Sequence, residues 1–147
     1  MENFILRILR CWGFSACSLS GRFHPKTDRL IFRVQADGRA LLLKGIPDTM
    51  PEAVITGNTT AHLYLGNRLR LAPMLILLPG GAPYLYAEGF WFYLMEFIDG
   101  CPMTETPEDE LALGILAKRL HACADYTYPS ALNADKSLLR VVPGEAL

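Results

Sequence analysis

The pair Asp37-Gly38, which lies between two strand-like segments, most constrains how this chain can fold. Residues 29–35 alternate apolar and polar side chains, and residues 40–46 are aliphatic apart from one cation near the end, Lys44. An Asp-Gly pair between such segments predicts a two-residue β-turn, because both central positions of that turn need a positive φ. The chain is therefore predicted to contain an antiparallel hairpin over 29–46.

Other segments predict that this hairpin belongs to a larger sheet with one inserted helix. The segment 47–71 is ambiguous, because Pro51-Glu52 could open a helix but Thr56 and Gly57 are poor helix formers. Asn58 would then be a favourable N-cap for a helix at about 59–69. The remaining predicted strands are 14–23, 72–79 and 90–98, with a turn-rich return at 80–89. We therefore predict an α+β fold with a five-stranded, mainly antiparallel sheet and a helix after the third strand.

The first fourteen residues predict an amphipathic helix. Apolar side chains recur there at helical spacing: Phe4, Ile5, Ile8, Leu9 and Trp12. Arg7 and Arg10 interrupt the apolar run, which argues against a secretory signal peptide. Association of residues 1–14 with a membrane surface is a weaker alternative.

A second helix is indicated near the other end of the sequence. Thr106 suits the N-cap, Pro107 suits the first helical position, and three acidic residues follow at 108–110. An apolar stripe continues along it: Leu113, Leu116, Ala117, Leu120 and Ala124. Residues 126–147 predict an irregular tail.

Composition excludes several classes of protein. Fourteen Lys and Arg against fifteen Asp and Glu give a net charge of −1, so nothing favours nucleic acid as a partner. No apolar segment reaches transmembrane length. The four cysteines form no C-x-x-C pair, which favours buried, reduced thiols in a cytoplasmic protein. Because 51% of the residues are hydrophobic, we expect a partner to cover part of the surface.

Lys44 is the first candidate for chemistry. A lone lysine on an aliphatic strand is most often an edge residue with a buried stem and a solvated ammonium. Alternatively, a lysine one hairpin after a Ser-Gly pair, here Ser20-Gly21, matches the way kinases hold nucleotide phosphates.

Three segments resemble the N-terminal lobe of the aminoglycoside phosphotransferase family, which includes choline and homoserine kinase-like enzymes. Residues 19–44 resemble its loop, hairpin and lysine strand, and 93–103 (YLMEFIDGCPM) resemble its linker between lobes. Residues 113–122 (LGILAKRLHA) are similar to the helix that follows. The resemblance implies a protein-kinase-like N-lobe at 15–98, then a hinge and first helix at 99–125.

The resemblance also implies a nucleotide site, for ATP or GTP with Mg²⁺ in the complete family. Lys44 matches the lysine that contacts the α- and β-phosphates, and Ser20 and Gly21 match the loop that covers them. Met95 matches the residue at the back of the adenine pocket. Glu96 and Ile98 match hinge positions whose backbone C=O and N–H bond the base.

Two departures from the family pattern limit the expected activity. No acid occurs between Ala53 and Tyr86, so the inserted helix lacks the glutamate that holds the kinase lysine, unless Glu52 substitutes. None of His24, His62 and His121 is followed by Gly-Asp, so no catalytic or metal-binding residue is assigned.

Two functions follow, and whether the chain is itself an enzyme stays open. The first is a nucleotide-binding lobe, cut short before the catalytic loop and inactive alone, whose partner is a separate C-terminal lobe. The alternative is a non-catalytic interaction module with a kinase-like fold.

Overall fold

The Asp37-Gly38 pair forms the predicted hairpin turn, with φ angles of +46° and +77°. A computed structural model describes residues 1–23, 28–100 and 104–122, and in it the turn joins strands β2 (Leu30–Ala36) and β3 (Arg39–Pro47). Because only two residues form the loop, Ala36 pairs with Arg39, and the antiparallel register then sets Lys44 opposite Ile31. The turn thus fixes which side chains share a face with Lys44.

The described residues contain three α-helices, one π-helical segment and a six-stranded antiparallel sheet. Their order is α1 (Glu2–Arg10), β1 (Cys17–Phe23), β2, β3, α2 (Glu52–Ala61), the π-helical segment (His62–Arg68), β4 (Leu75–Ile76), β5 (Leu85–Ala87), β6 (Phe90–Glu96) and α3 (Pro107–His121). Strands lie in the order β1-β2-β3-β6-β4, and β5 also pairs with β6. The chain divides into two compact units, Met1–Phe97 and Ile98–Leu147.

Helix α1 packs on one face of the sheet, as its spacing of apolar residues predicted. Its buried residues join alternate residues of three strands in one core: Ile5, Ile8, Leu9, Trp12, Phe32, Val34, Ala36, Leu41, Leu43, Phe92 and Leu94. The indole Nε1–H of Trp12 donates to the Ile76 carbonyl at 2.9 Å. Because the sheet takes the apolar side of α1, that side is not presented to a membrane surface.

The opposite face of the sheet carries a smaller core, which includes α2. Its buried residues are Ile46, Ile55, Leu75, Tyr93 and Met95. Successive residues of a strand face opposite sides, so Lys44 shares this second face with Leu42 and Ile46.

The inserted helix begins earlier than the sequence predicted. It starts at Glu52 rather than near Thr59, with Pro51 at the N-cap, so the predicted cap at Asn58 is wrong. The Thr59 hydroxyl donates to the Ile55 carbonyl at 2.9 Å, and Thr56 bonds back to Glu52 at 3.1 Å. These bonds, together with complete burial of Ile55, outweigh the low helix propensity of the segment.

The π-helical segment is fastened to the chain that follows it. The Asn67 side-chain amide donates to the Leu75 carbonyl at 2.9 Å, and its oxygen accepts from the Leu75 N–H at 2.8 Å. Gly66 lies directly against Pro73, and a Cβ placed on it would be 2.9 Å from the Pro73 carbonyl carbon. This contact needs a residue without a side chain.

The sheet has six strands among the described residues, one more than predicted. The additional strand, β5, lies inside the segment 80–89 that was predicted to be an irregular return. Conversely, the strand predicted at 72–79 is reduced to Leu75–Ile76, between Pro73 and Pro79. The two prolines fix φ and carry no backbone N–H, so regular strand pairing is confined to the residues between them.

Helix α3 lies in the second unit and begins as predicted. The Thr106 hydroxyl accepts from the Asp109 N–H at 3.2 Å, and Pro107 is the first helical residue. No side chain of α3 is buried, so the predicted stripe is not covered by the described residues. Predictions for Ala124, for the other residues after 122 and for the 24–27 part of the first loop lie outside the described residues.

The sequence predicted buried, reduced cysteines, and the structure describes two of the four. Both Cys11 and Cys17 are free thiols. Cys17 is half-buried, whereas Cys11 is exposed rather than buried as predicted. Cys101 and Cys123 lie outside the described residues.

We expect Asp37→Ala to lower the free energy of unfolding by about 1–3 kcal/mol. The Asp37 carboxylate accepts from the backbone N–H groups of Ala16 at 2.7 Å and Ser15 at 3.2 Å, and its φ is positive. Asp37→Asn keeps an acceptor and tolerates that φ, so urea unfolding should place it much nearer the parent protein. Equal losses in the two variants would contradict this account.

Candidate functional site

Lys44 lies on the second face of the sheet, between Ile31 on β2 and Tyr93 on β6. The residue is half-buried, and burial together with the positive charge of Arg29 lowers the pKa of its ammonium group. Burial raises the pKa of the Tyr93 phenol to about 12, so this neighbour stays uncharged at neutral pH. No carboxylate of the described residues forms an ion pair with Lys44. Within the described part of the chain, no ion pair therefore neutralises the charge of Lys44.

Glu52 does not substitute for the missing helix glutamate. It lies in the exposed first turn of α2, and its Oε1 accepts from the Tyr84 hydroxyl at 3.1 Å. His62 is the first residue of the π-helical segment that follows α2. Its pKa is lowered by burial and, to a smaller extent, by the positive charge of Lys44. Near Lys44 this segment therefore contributes an imidazole rather than a carboxylate.

Hydrogen bonding fixes the orientation of His62. Its Nδ1 lies 3.0 Å from the Pro73 carbonyl oxygen, which can only accept, so Nδ1 carries the hydrogen. The ring lies 6.1 Å from the Tyr93 ring, centroid to centroid. Burial lowers the pKa of His62, the bond to Pro73 opposes that change, and the Lys44 charge reinforces it. His62 is therefore neutral at pH 7 and does not offset Lys44.

Sequence reasoning missed that two arginines share this face. Residues 31, 33 and 35 point to one side of β2, and Arg33 pairs directly with Leu42 in the same register that sets Ile31 opposite Lys44. Arg29 directly precedes the strand, and its charge acts on Lys44 and Tyr93. The Arg33 guanidinium lies 4.3 Å from the centre of the Phe97 ring, and its Nε is buried without a hydrogen-bond partner. Together with Arg29, it gives the Lys44 face a cationic character. The alternation along 29–35 was the signal that could have revealed it.

Glu96, at the end of β6, has an unusual set of backbone contacts. Its N–H donates to the Met74 carbonyl at 2.9 Å, while the Met74 N–H donates to the carboxylate Oε2 of Glu96 at 3.0 Å. The next residue, Phe97, donates its N–H to the Ala40 carbonyl at 3.2 Å. Of these described neighbours, neither Met74 nor Phe97 donates its backbone N–H to the Glu96 carbonyl.

The other predicted site residues lie in three different settings. Ser20 and Gly21 are inside β1 at a register irregularity, and the strand continues to Phe23 rather than ending at the pair. Met95 is buried beside Leu75 and opposite Leu42. Ile98 belongs to the second unit and is 61% exposed.

This arrangement suits an anion more than a metal ion. In the first unit, Lys44 on β3 and Met95 on β6 lie on one face of the sheet. Glu96, the residue after Met95, ends β6. Among the described residues, no three His, Cys, Asp or Glu side chains are grouped so that they could hold a metal ion. No described helix is both long and apolar enough to cross a membrane.

Comparison with known proteins gives a likeness of fold. No protein-family model matches the chain, and no curated protein matches it in sequence. Among solved structures, it is similar to spectinomycin phosphotransferase APH(9)-Ia, crystallised with ADP and spectinomycin, with a TM-score of 0.65 and 10% sequence identity. The alignment covers 91% of this chain and 40% of that one. The chain therefore shares the protein-kinase-like fold of that structure over the part it spans.

Proposed function

We propose that this chain is a nucleotide-binding lobe of the kind found in aminoglycoside phosphotransferases. In this proposal Lys44 contacts the phosphates of ATP or GTP, and Ser20 and Gly21 cover them. Met95 lies behind the base, and the Glu96 C=O bonds its edge. The observation that carries the proposal is the half-buried ammonium of Lys44, which no described carboxylate neutralises.

An uncompensated, partly buried ammonium group favours an anionic ligand. Burial removes part of the water that would stabilise its charge, and the charge of Arg29 adds to the positive potential. Phosphate oxygens supply both negative charge and hydrogen-bond acceptors, so they compensate for the lost hydration. The neighbouring His62 and Tyr93 are neutral at pH 7 and do not compete for that role.

We propose that the chain alone binds nucleotide without transferring a phosphoryl group. Its three histidines precede Pro25, Leu63 and Ala122, so none begins a His-Gly-Asp catalytic sequence. Phosphoryl transfer also needs a positioned acceptor and a bound divalent cation.

Isothermal titration of the 147-residue chain with MgATP tests the proposal, and Lys44→Ala is the critical variant. We expect Lys44→Ala to weaken binding about 10- to 150-fold, because a hydrogen bond from a charged donor contributes about 1.5–3 kcal/mol. Lys118→Ala removes an exposed lysine on α3 and serves as the control, with affinity within about twofold of the parent chain.

Two results would count against this assignment. Tight MgATP binding that Lys44→Ala leaves unchanged would remove Lys44 from the phosphate site. No binding of MgATP or MgGTP by the folded parent chain would rule out the nucleotide function.

The exposed apolar side chains of α3 favour a second candidate, a protein-interaction module. Four of its residues are between 36% and 67% exposed: Leu111, Leu113, Ile115 and Leu116. Exposed apolar side chains become evidence for a partner where they adjoin one another, as Leu111 and Ile115 do at i, i+4. A stable protein partner lost on Leu113→Lys, combined with no nucleotide-induced rise in melting temperature, would select this function over nucleotide binding.

A further inference from the structure

The last rung between β4 and β6 lacks one of its two expected backbone bonds. Leu75 pairs with Met95 and Ile76 with Leu94, so Met74 and Glu96 form the next pair in the register. In an antiparallel sheet alternate pairs exchange two N–H···O=C bonds, and the bond from the Glu96 N–H to the Met74 carbonyl identifies this pair as one of them. Here Glu96 donates to the Met74 carbonyl at 2.9 Å, but Met74 donates at 3.0 Å to the Glu96 carboxylate instead of the Glu96 carbonyl.

The direction of the Glu96 carbonyl follows from the planar peptide unit that it shares with the Phe97 N–H. In a trans peptide these two groups point in opposite directions. The Phe97 N–H donates to Ala40 on β3, so the Glu96 carbonyl points away from β3, to the side where Met74 lies. Its natural partner there is already satisfied by the side chain of the same glutamate.

We propose that the Glu96 side chain is a positioning group that keeps the Glu96 backbone carbonyl available as an acceptor for a nucleobase. The carboxylate accepts the Met74 N–H in place of the carbonyl, so the edge of the sheet stays closed without using the hinge acceptor. An available C=O matches an exocyclic amino group, as on adenine. This inference rests on the proposed nucleotide site.

Hydrogen-bond couplings across Met74 test the substitution of side chain for backbone without any ligand. In the labelled 147-residue chain, the Met74 ¹⁵N should couple to the Glu96 side-chain carboxyl carbon and not to the Glu96 backbone carbonyl carbon. In Glu96→Ala the coupling should move to the backbone carbonyl carbon of residue 96. In Glu96→Gln, which keeps a side-chain acceptor, it should stay on the side chain. Coupling of Met74 to the backbone carbonyl carbon in the parent chain would overturn the proposal.

Ligand titrations test whether the carbonyl is used. Glu96→Gln and Glu96→Ala both remove the negative charge, so comparing them isolates the acceptor. We expect Glu96→Ala to bind MgATP about five- to tenfold more weakly than Glu96→Gln, the loss of about one neutral hydrogen bond. The two variants should bind magnesium tripolyphosphate, which has no base, within about twofold of each other. Equal melting temperatures would confirm that neither variant is partly unfolded during the titrations.

The remaining outcomes separate this inference from the proposed function. Equal MgATP affinity in the two variants overturns the role of Glu96 while leaving phosphate binding by Lys44 intact. If the parent chain binds magnesium tripolyphosphate as tightly as MgATP, the base contributes nothing to affinity. That result also overturns the role of Glu96 and leaves phosphate binding by Lys44 intact. Parent chain that binds neither ligand overturns the proposed function, and the nucleobase role of Glu96 falls with it even if the couplings are as described.

Discussion

Gly66→Ala is expected to lower the free energy of unfolding by about 3 kcal/mol or more, and to leave part of the protein unfolded at 37 °C. A Cβ at this position would overlap the Pro73 carbonyl oxygen and would lie 3.1 Å from the Ala72 carbonyl oxygen. These neighbours are backbone atoms, which cannot turn aside as a side chain does. The π-helical segment would have to move away from the chain leading into β4.

Such a movement would break other contacts of the same region. The Pro73 carbonyl also accepts from His62 at 3.0 Å, and Asn67 holds Leu75 through two hydrogen bonds. Separation of the π-helical segment from Pro73 therefore leaves several partly buried polar groups without partners, each at a cost of up to about 1–3 kcal/mol. This coupling is why we expect a larger effect than overpacking alone gives.

Urea unfolding monitored by tryptophan fluorescence measures the loss, and Gly80→Ala is the matched control in the same unit. Nothing lies within 4 Å of a Cβ on Gly80, so that variant should change stability by no more than about 0.5 kcal/mol. If Gly66→Ala and Gly80→Ala unfolded at the same urea concentration, the close contact with Pro73 would be wrong.

Phe92→Ala is expected to cost about 3–5 kcal/mol. The Phe92 side chain is completely buried, and its ring packs edge-on against Phe4 of α1 with centroids 5.8 Å apart. On β3, Gly45 leaves room for the ring, since a Cβ there would be 2.7 Å from Phe92 Cε1. Removal of the ring opens a cavity between α1 and the sheet that neighbouring backbone cannot fill.

Thermal and urea unfolding should both register the Phe92→Ala loss, with Phe23→Ala as the control. Phe23 is also a strand phenylalanine but is 47% exposed, so its removal should cost less than about 1 kcal/mol. Loss of tight α1 packing should also appear as faster amide hydrogen exchange in α1. Similar losses in the two variants would show that α1 is not anchored through Phe92.

The hairpin register could be derived from the sequence, and with it the neighbours of Lys44 on β2. A two-residue turn at Asp37-Gly38 sets residue 36 opposite residue 39, which sets Lys44 opposite Ile31 and Leu42 opposite Arg33. The same step would have revealed that Arg33 shares the face of Lys44. We predicted the turn but did not carry its register across to the side chains.

The inserted helix could not be placed from local preference alone. Thr56 and Thr59 have low helix propensity, so the pattern favoured a later start at Asn58. Threonine hydroxyls that bond back into the helix, and an Ile55 side chain buried against the sheet, depend on contacts between distant segments. Tertiary packing therefore determined an element that the sequence pattern misplaced.

The contacts of Glu96 illustrate a second limit of sequence reasoning. The resemblance to a kinase hinge drew attention to the backbone of Glu96, and nothing in the pattern distinguished its side chain from that of a solvated acid. Which of its two acceptors receives the Met74 N–H depends on the strand register and on the rotamer of the carboxylate. Both are properties of the folded chain.

The two hydrogen bonds of Asn67 also have a consequence for encounters between molecules. β4 is the outermost strand on its side of the sheet, and the outward N–H and C=O of Leu75 would otherwise be open to a strand from another chain. Asn67 occupies both groups with one side-chain amide, 2.8 and 2.9 Å away. At Leu75 the sheet therefore offers no template for aggregation, and Asn67→Asp, which cannot donate to the carbonyl, would reopen half of it.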